Sequence, residues 1–266
     1  MTQSHPGTAL ITGASSGIGA VYADRLARRG YNLILVARNR ARLNALAERI
    51  STQTRQAVEV LEADLGDAAS LAQVEAKLRE DASITLLVNN AGVGTHTPLL
   101  ESDIGAMTAM IDLNVTAPTR LTYAAAPGFV ARGRGAIINI ASIVSIAPEL
   151  LNGVYGGSKA YVLAFSQSLH HELGDKGVQV QAVLPGATAT DFWATGGLPV
   201  EQLDQAIVMS AEQLVDAALV GFDRRELITI PSLHAGEDWE AYEAARQKML
   251  PHLSSNTPAP RYLAAR

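Results

Sequence analysis

Short apolar runs without polar alternation recur along this chain, each separated from the next by a longer stretch of helical periodicity. Residues 8–12, 33–37, 57–61, 84–88, 136–140 and 178–183 read as strands, and 228–230 as a candidate seventh. Strand-length segments this apolar are buried on both faces. The patterns between them read as helices over 17–29 (ended by Gly30), 40–50 (Leu43, Leu46 and Ile50 on one face), 71–79 and 155–173. A long region, 101–132, has room for two more. Strand–helix–strand alternation requires right-handed crossovers and a parallel sheet. The predicted fold is therefore α/β: an open, doubly wound parallel sheet of about seven strands between two helical layers.

At 266 residues, such a chain accommodates one large domain and a short tail. Residues 1–250 are expected to form that domain. Pro185 to about Met209 is rich in Gly, Ala and Thr and poor in strand pattern, so a mobile substrate lid is expected over about 187–210. Residues 251–266 hold three prolines and read as a tail on the surface or on a partner. The absence of cysteine excludes a disulfide scaffold, thiolate metal ligands and a cysteine nucleophile, and no metal is expected. A formal charge of −5 argues against a nucleic-acid partner. Met1 to Pro6 shows no basic segment followed by an apolar run. The most apolar stretch, 136–147, carries Asn139, Ser142 and Ser145, and is too short and polar to span a bilayer. A soluble, cytoplasmic protein without a membrane partner is expected.

The first strand runs into Thr12-Gly13-Ala14-Ser15-Ser16-Gly17-Ile18-Gly19, within which a helix begins. Glycine permits positive φ and close approach of a ligand to the backbone. Exposed amides at a helix start favour an anion such as a pyrophosphate, and Ser15 and Ser16 add hydroxyl donors. An ordinary strand–helix turn can carry such glycines, but the strand before and the helix after favour a dinucleotide-binding turn. A residue about 20 beyond the glycines, at the end of the second strand, meets the adenosine ribose. Here it is Arg38, followed by Arg40 and Arg42. A guanidinium at Arg38 suits the 2′-phosphate of NADP(H) rather than the free hydroxyls of NAD(H). Asp64-Leu65 follows the third strand, where the carboxylate either accepts from the adenine amino group or caps a helix; Asp67 is the better cap. Asn89-Asn90-Ala91-Gly92 follows the fourth, where small residues let the chain pass beneath the riboses and where a hydrogen-bonded turn would use the same residue types.

Tyr155 and Lys159 are four residues apart, hence on one helix face. Phenols titrate near pH 10. An ammonium at about 4 Å, with an effective dielectric of about 20, attracts a phenolate by about 4 kcal/mol. That is worth roughly three pKa units before desolvation takes some back, so the pair can exchange a proton with a carbonyl or alcohol. Ser142, at the end of the fifth strand, can hold the substrate oxygen beside the phenol. Asn114 lies in a helical stretch, where it either holds a water that serves Lys159 or marks a kink with a buried hydrogen bond.

In order, Gly13-x-x-x-Gly17-x-Gly19, Asp64, Asn89-Asn90-Ala91-Gly92, Asn114, Ser142, Tyr155-x-x-x-Lys159 and Pro185-Gly186 resemble the short-chain dehydrogenase/reductases over about residues 7–190. The resemblance implies a seven-stranded Rossmann sheet and a nicotinamide cofactor. It implies Tyr155 as general acid/base and Lys159 as the group that lowers its pKa and holds the nicotinamide ribose. Ser142 would position the substrate oxygen, and Asn114 would complete a water-linked proton relay. The cofactor would meet Gly13, Ser15, Ser16, Gly17, Ile18, Gly19, Arg38, Asp64, Leu65, Asn90, Ala91, Gly92, Tyr155 and Lys159. Pro185, Gly186 and Thr188 would border the nicotinamide, with Thr190 assisting; which threonine contacts the carboxamide stays open. Members of this size are dimers or tetramers, often packed through the Asn114 and Tyr155 helices, so a homodimer or homotetramer is expected. One departure is Gly156-Gly157, which costs helix propensity of roughly 1 kcal/mol per residue. Either the helix begins late, or these glycines allow close packing.

The expected reaction is reversible hydride transfer between NADP(H) and a small-molecule ketone, aldehyde or alcohol. Phe192, Trp193, Leu198, Leu203, Ile207 and Met209, with Val144, Leu150 and Leu151, either form an apolar substrate wall or pack on the sheet or a partner. Two other readings compete. A 3-oxoacyl thioester reductase would use Arg120, Arg132 and Arg134 to dock an acidic carrier. A non-catalytic dinucleotide sensor would not need Tyr155 and Lys159.

Overall fold

The computed structural model describes residues 6–263. The start of the chain, read above for an export signal, and the last three residues of the tail lie outside the described residues. The chain divides into two compact units, one ending at Ser232 and one starting at Leu233.

The first unit opens with β1 (Thr8–Thr12), α1 (Gly17–Arg28), β2 (Asn32–Ala37), α2 (Arg40–Thr54), β3 (Val58–Glu62), α3 (Ala68–Glu80) and β4 (Ile84–Asn89). It continues with α4 (Ile104–Ile111), α5 (Ala117–Ala131), β5 (Gly135–Ile140), α6 (Gly153–Leu173) and β6 (Val178–Val183). β7 (Thr188–Ala189), α7 (Phe192–Thr195), β8 (Met209–Ser210), α8 (Ala211–Asp223) and β9 (Ile228–Thr229) complete it. The second unit carries α9 (Gly236–Met249), on which Trp239 and Tyr242 stack at 5.2 Å. No helix among the described residues is long and apolar enough to cross a membrane.

Seven strands pair in parallel in the order β3-β2-β1-β4-β5-β6-β9. Successive strand residues supply opposite layers, as the pleat requires. Ala9, Ile11, Leu33, Leu35 and Ile138 pack with α1, α2 and α8 through Leu26, Leu43 and Leu214. Leu10, Ile34, Val36 and Ile137 pack with α3 and α5 through Val74, Leu121 and Phe129. The predicted three-layer, doubly wound fold is thus the observed one. Strand order reverses between β1 and β4, and in such sheets ligands sit at the strands' C-terminal ends beside that reversal.

Four local features differ from the sequence expectations. β3 is an edge strand with Glu59 and Glu62 exposed rather than buried on both faces; Lys77 pairs with Glu59 at 2.8 Å. Charge on an edge discourages pairing with another chain. The glycine pair does not delay α6, which starts at Gly153 because the Asn152 side chain accepts from the Val154 and Tyr155 amides. Of the two glycines, Gly156 packs against Pro148, whereas Gly157 faces open space. Residues 101–132 do hold two helices, but a π turn, Asp112–Thr116, joins α4 to α5 without a break. The stretch after Pro185 carries α7 and a two-residue parallel ladder, Thr188 with Met209 and Ala189 with Ser210, which ties its ends together.

Candidate active site

Gly13 and Gly17 take φ of 64° and 53°, the left-handed region where glycine avoids the strain of a Cβ. A Cβ at Gly19 would land on the Gly13 carbonyl, so the turn closes only around a glycine there. The Thr12 hydroxyl accepts from the Asn90 and Ala91 amides, both at 3.0 Å. Asn90 Nδ2 donates to the Thr12 and Gly13 carbonyls at 2.9 and 3.2 Å. The strand ends of β1 and β4 are thereby stapled together before any ligand arrives. Asn90 holds the turn with its side chain, while Ile18 packs on the core. Ser16 caps α1 in an extended conformation, yet its side chain makes no capping bond, and the first turn of α1 carries no acid. Free amides and a free hydroxyl at a helix start attract an anion.

At the end of β2, Arg38 is exposed and has no ion-pair partner among the described residues. Arg40 pairs with Glu62 at 3.6 Å and Arg42 with Asp191 at 3.1 Å. Asp67 caps α3 through the Ser70 amide, as expected. Asp64 accepts from the Gly66 amide with one oxygen and keeps the other. Leu65 buries its side chain in the core beneath, which leaves its backbone for a ligand.

The catalytic candidates converge at the C-terminal end of β5. Tyr155 and Lys159 are 5% and 6% exposed. Lys159 Nζ donates to the Ile140 carbonyl at 2.8 Å and lies 6.0 Å from the centre of the Tyr155 ring. Burial pushes the Tyr155 phenol up to about 12, with the hydrogen-bonded Ser142 hydroxyl pulling the other way. Burial pushes the Lys159 ammonium down to about 8. The phenol pKa is therefore raised rather than depressed, contrary to the expectation. Desolvation dominates both groups, which a four-residue spacing alone does not reveal. The Ser142 hydroxyl also donates to the Pro185 carbonyl at 3.4 Å and accepts from the Val144 amide at 3.3 Å.

Asn114 sits in the π turn and is buried. Its Oδ1 accepts from the Val93 amide at 3.0 Å, and its Nδ2 donates to the Val93 carbonyl at 2.8 Å and to Ser158 Oγ at 3.0 Å. Ser158 in turn donates to the Tyr155 carbonyl at 2.8 Å. Both amide protons are used, so a relay water would have only the second lone pair of Oδ1. Of the two alternatives the buried hydrogen bonds are present, made from within a π turn; π turns of this kind recur at functional sites.

Above these groups lies the segment after Pro185. The Phe192 ring tilts against Tyr155 with centroids 5.6 Å apart. Phe192, Leu151 and Val144 join Met107, Met110 and Tyr155 in one apolar cluster. Trp193 Nε1 donates to the Thr188 carbonyl at 2.9 Å, and His96 Nδ1 meets the Gly196 carbonyl at 3.0 Å. Between them is a cavity of about 10 Å³, lined by Gly94, His96, Leu151, Phe192, Trp193 and Leu198, no larger than a water. Of the other wall candidates, Leu150 and Ile207 are exposed, and Met209 packs on the core. Thr188 is buried, with its hydroxyl on the Gly186 carbonyl, while the Thr190 methyl rests by Gly17 of the glycine turn. Arg120 is held by Glu75; Arg132 and Arg134 donate to the Ile84 and Pro6 carbonyls at the opposite, N-terminal edge of the sheet.

Three contributors escaped the sequence reading. Asn152 caps α6 and ties it to the Thr97 carbonyl at 2.7 Å; an asparagine just before a helical pattern is a recognisable cap signal. Ser158 and the Val93 backbone anchor Asn114 through contacts that local sequence does not announce.

The family model of the short chain dehydrogenases matches residues 7–197. A short-chain dehydrogenase from Sphingobium yanoikuyae, solved in complex with NADPH, is 51% identical with a TM-score of 0.94, covering 97% of this chain and 100% of that one. The bulky-bulky ketone specific alcohol dehydrogenase from Comamonas testosteroni is 47% identical with a TM-score of 0.90, covering 98% and 100%. A very-long-chain 3-oxoacyl-CoA reductase of Anas platyrhynchos is 35% identical over 187 residues, 68% of this chain and 60% of that longer protein. This chain belongs to the short-chain dehydrogenase family, as an oxidoreductase that couples a nicotinamide dinucleotide to a CH–OH/C=O pair.

Proposed function

We propose that this enzyme interconverts ketones carrying two bulky arms, and related aldehydes, with their alcohols, using NADP(H). The observation that carries the reading is the meeting of the Tyr155 and Ser142 hydroxyls at the end of β5, beside Lys159 and under an apolar cluster. The likeness to the Comamonas alcohol dehydrogenase supports the substrate class. The residues fit the cofactor. The uncapped start of α1 suits a pyrophosphate. Lys159 has one acceptor and two further N–H bonds for ribose hydroxyls. Arg38, without an ion-pair partner among the described residues, stands where a 2′-phosphate would lie, and the Sphingobium relative was solved with NADPH.

A bound nicotinamide dinucleotide would supply the hydride chemistry, leaving orientation and proton transfer to the protein. A phenol pushed up to about 12 is protonated at neutral pH and donates to the substrate oxygen during reduction. Ser142 holds that oxygen. The Lys159 charge stabilises the phenolate left behind, and Asn114 Oδ1 takes a water that returns the proton. Ser15, Ser16 and the amides of Gly13, Gly17, Ile18 and Gly19 would hold the diphosphate. Asp64 and the Leu65 backbone would meet the adenine, and Asn90, Ala91 and Gly92 the riboses. Pro185, Gly186 and Thr188 would border the nicotinamide; Thr190, beside Gly17, would serve the diphosphate side.

The test is a panel of small and two-armed ketones assayed with NADPH and NADH. The reading expects two-armed aryl ketones to be turned over and NADPH to be favoured by about 10- to 100-fold, the worth of a hydrogen-bonded charge. Turnover confined to small carbonyls, or no discrimination between cofactors, overturns it. A 3-oxoacyl thioester is the competing substrate because of the Anas reductase, and direct competition against an aryl ketone decides between them.

A further inference from the structure

Asp191 is the N-cap residue of α7, and aspartate in that position ordinarily accepts from the helix's own amides. Here its side chain makes no capping bond. Its Oδ2 instead accepts from Arg42 Nη1 at 3.1 Å. Arg42 stands in the first turn of α2, whose cap Asn39 accepts from the Arg42 amide at 3.0 Å, next to the end of β2. Of the three arginines at this corner, Arg38 has no ion-pair partner among the described residues, Arg40 leans on Glu62, and Arg42 is held by Asp191. The residue before Asp191, Thr190, rests by Gly17. The chain at 190–191 therefore runs from beside the glycine turn to the start of α2.

We propose that Asp191 is a cofactor-specificity residue: it holds Arg42 in the free enzyme and yields it to a 2′-phosphate. The inference rests on the NADP(H) reading above. A phosphomonoester carries more charge than a carboxylate and offers three acceptor oxygens, so it displaces Asp191 from the guanidinium. An unphosphorylated cofactor has no claim on Arg42 and leaves the pair intact. Asp191 thus taxes the binding of NADP(H) alone, by the strength of an exposed ion pair.

The test measures binding, by calorimetry, of NADPH, NADH and adenosine 2′-monophosphate to the wild type, Asp191→Asn, Arg42→Gln and the double variant. Asp191→Asn is expected to tighten NADPH and adenosine 2′-monophosphate about two- to fivefold and to leave NADH unchanged. Arg42→Gln is expected to weaken NADPH about tenfold without affecting NADH, and in its background Asp191→Asn should have no effect. Equal shifts for NADPH and NADH, or tightening that survives in the Arg42→Gln background, overturn the proposal. A wild type that prefers NADPH with a silent Asp191→Asn sinks the Asp191 proposal alone. A wild type indifferent to the phosphate sinks the cofactor reading as well.

Discussion

The two ends of the cleft are built on opposite principles. At the glycine turn, Thr12 and Asn90 pair with backbone groups at the ends of β1 and β4, and the start of α1 has no side-chain cap. At the catalytic end, a phenol and an ammonium are buried, desolvation raising the one pKa and lowering the other, with the Phe192 ring tilted against the phenol. The first region is ready to bind and costs the fold little. The second stores cost where chemistry is needed, because low dielectric both penalises an unpaired charge and strengthens its interactions once a partner arrives.

The largest effect that sharpens this contrast concerns Lys159. Its ammonium moves from 10.5 to about 8 on folding, a penalty of about 3 kcal/mol on the charged form. The folded value lies below the unfolded one, so between about pH 8 and 10.5 the unfolded chain binds more protons and stability rises with pH. Denaturant unfolding of wild type and Lys159→Met should therefore diverge in the wild type's favour by about 3 kcal/mol across that window. Tyr155, raised in both proteins, cancels. Parallel pH profiles would erase the contrast between the two ends.

A smaller effect concerns the ring over the phenol. Phe192→Ala should open the space beside Tyr155 and raise kcat/KM for two-armed ketones about tenfold relative to acetone-sized ones, as pocket groups of this size do. Binding of NADPH should stay unchanged, since Phe192 touches the catalytic end alone. An equal change for large and small ketones would show that the ring plays no part in selecting substrates.

The fold and the family were legible in the sequence. Apolar strand runs, glycines at a strand–helix turn and the order of Asn114, Ser142, Tyr155 and Lys159 are local signals with direct physical meaning. The sign of the phenol shift was not legible, because spacing places Tyr155 and Lys159 on one face but says nothing of how much water remains there. The π turn was hidden for a related reason: Asn114 is held by Val93, 21 residues earlier. Contacts of the segment after Pro185 run to Arg42, His96 and Tyr155, so its composition suggested only a loop. The edge position of β3 was readable from Glu59 and Glu62, and the start of α6 from Asn152.

The central claim is that the Tyr155 hydroxyl exchanges the proton with the substrate oxygen. Its most direct test is Tyr155→Phe, assayed with NADPH and an aryl ketone while NADPH affinity is measured on the same sample. The predicted result is a loss of about 10²- to 10⁴-fold in kcat with the dissociation constant for NADPH unchanged. Turnover within a few-fold of the wild type, with the cofactor bound, would contradict it.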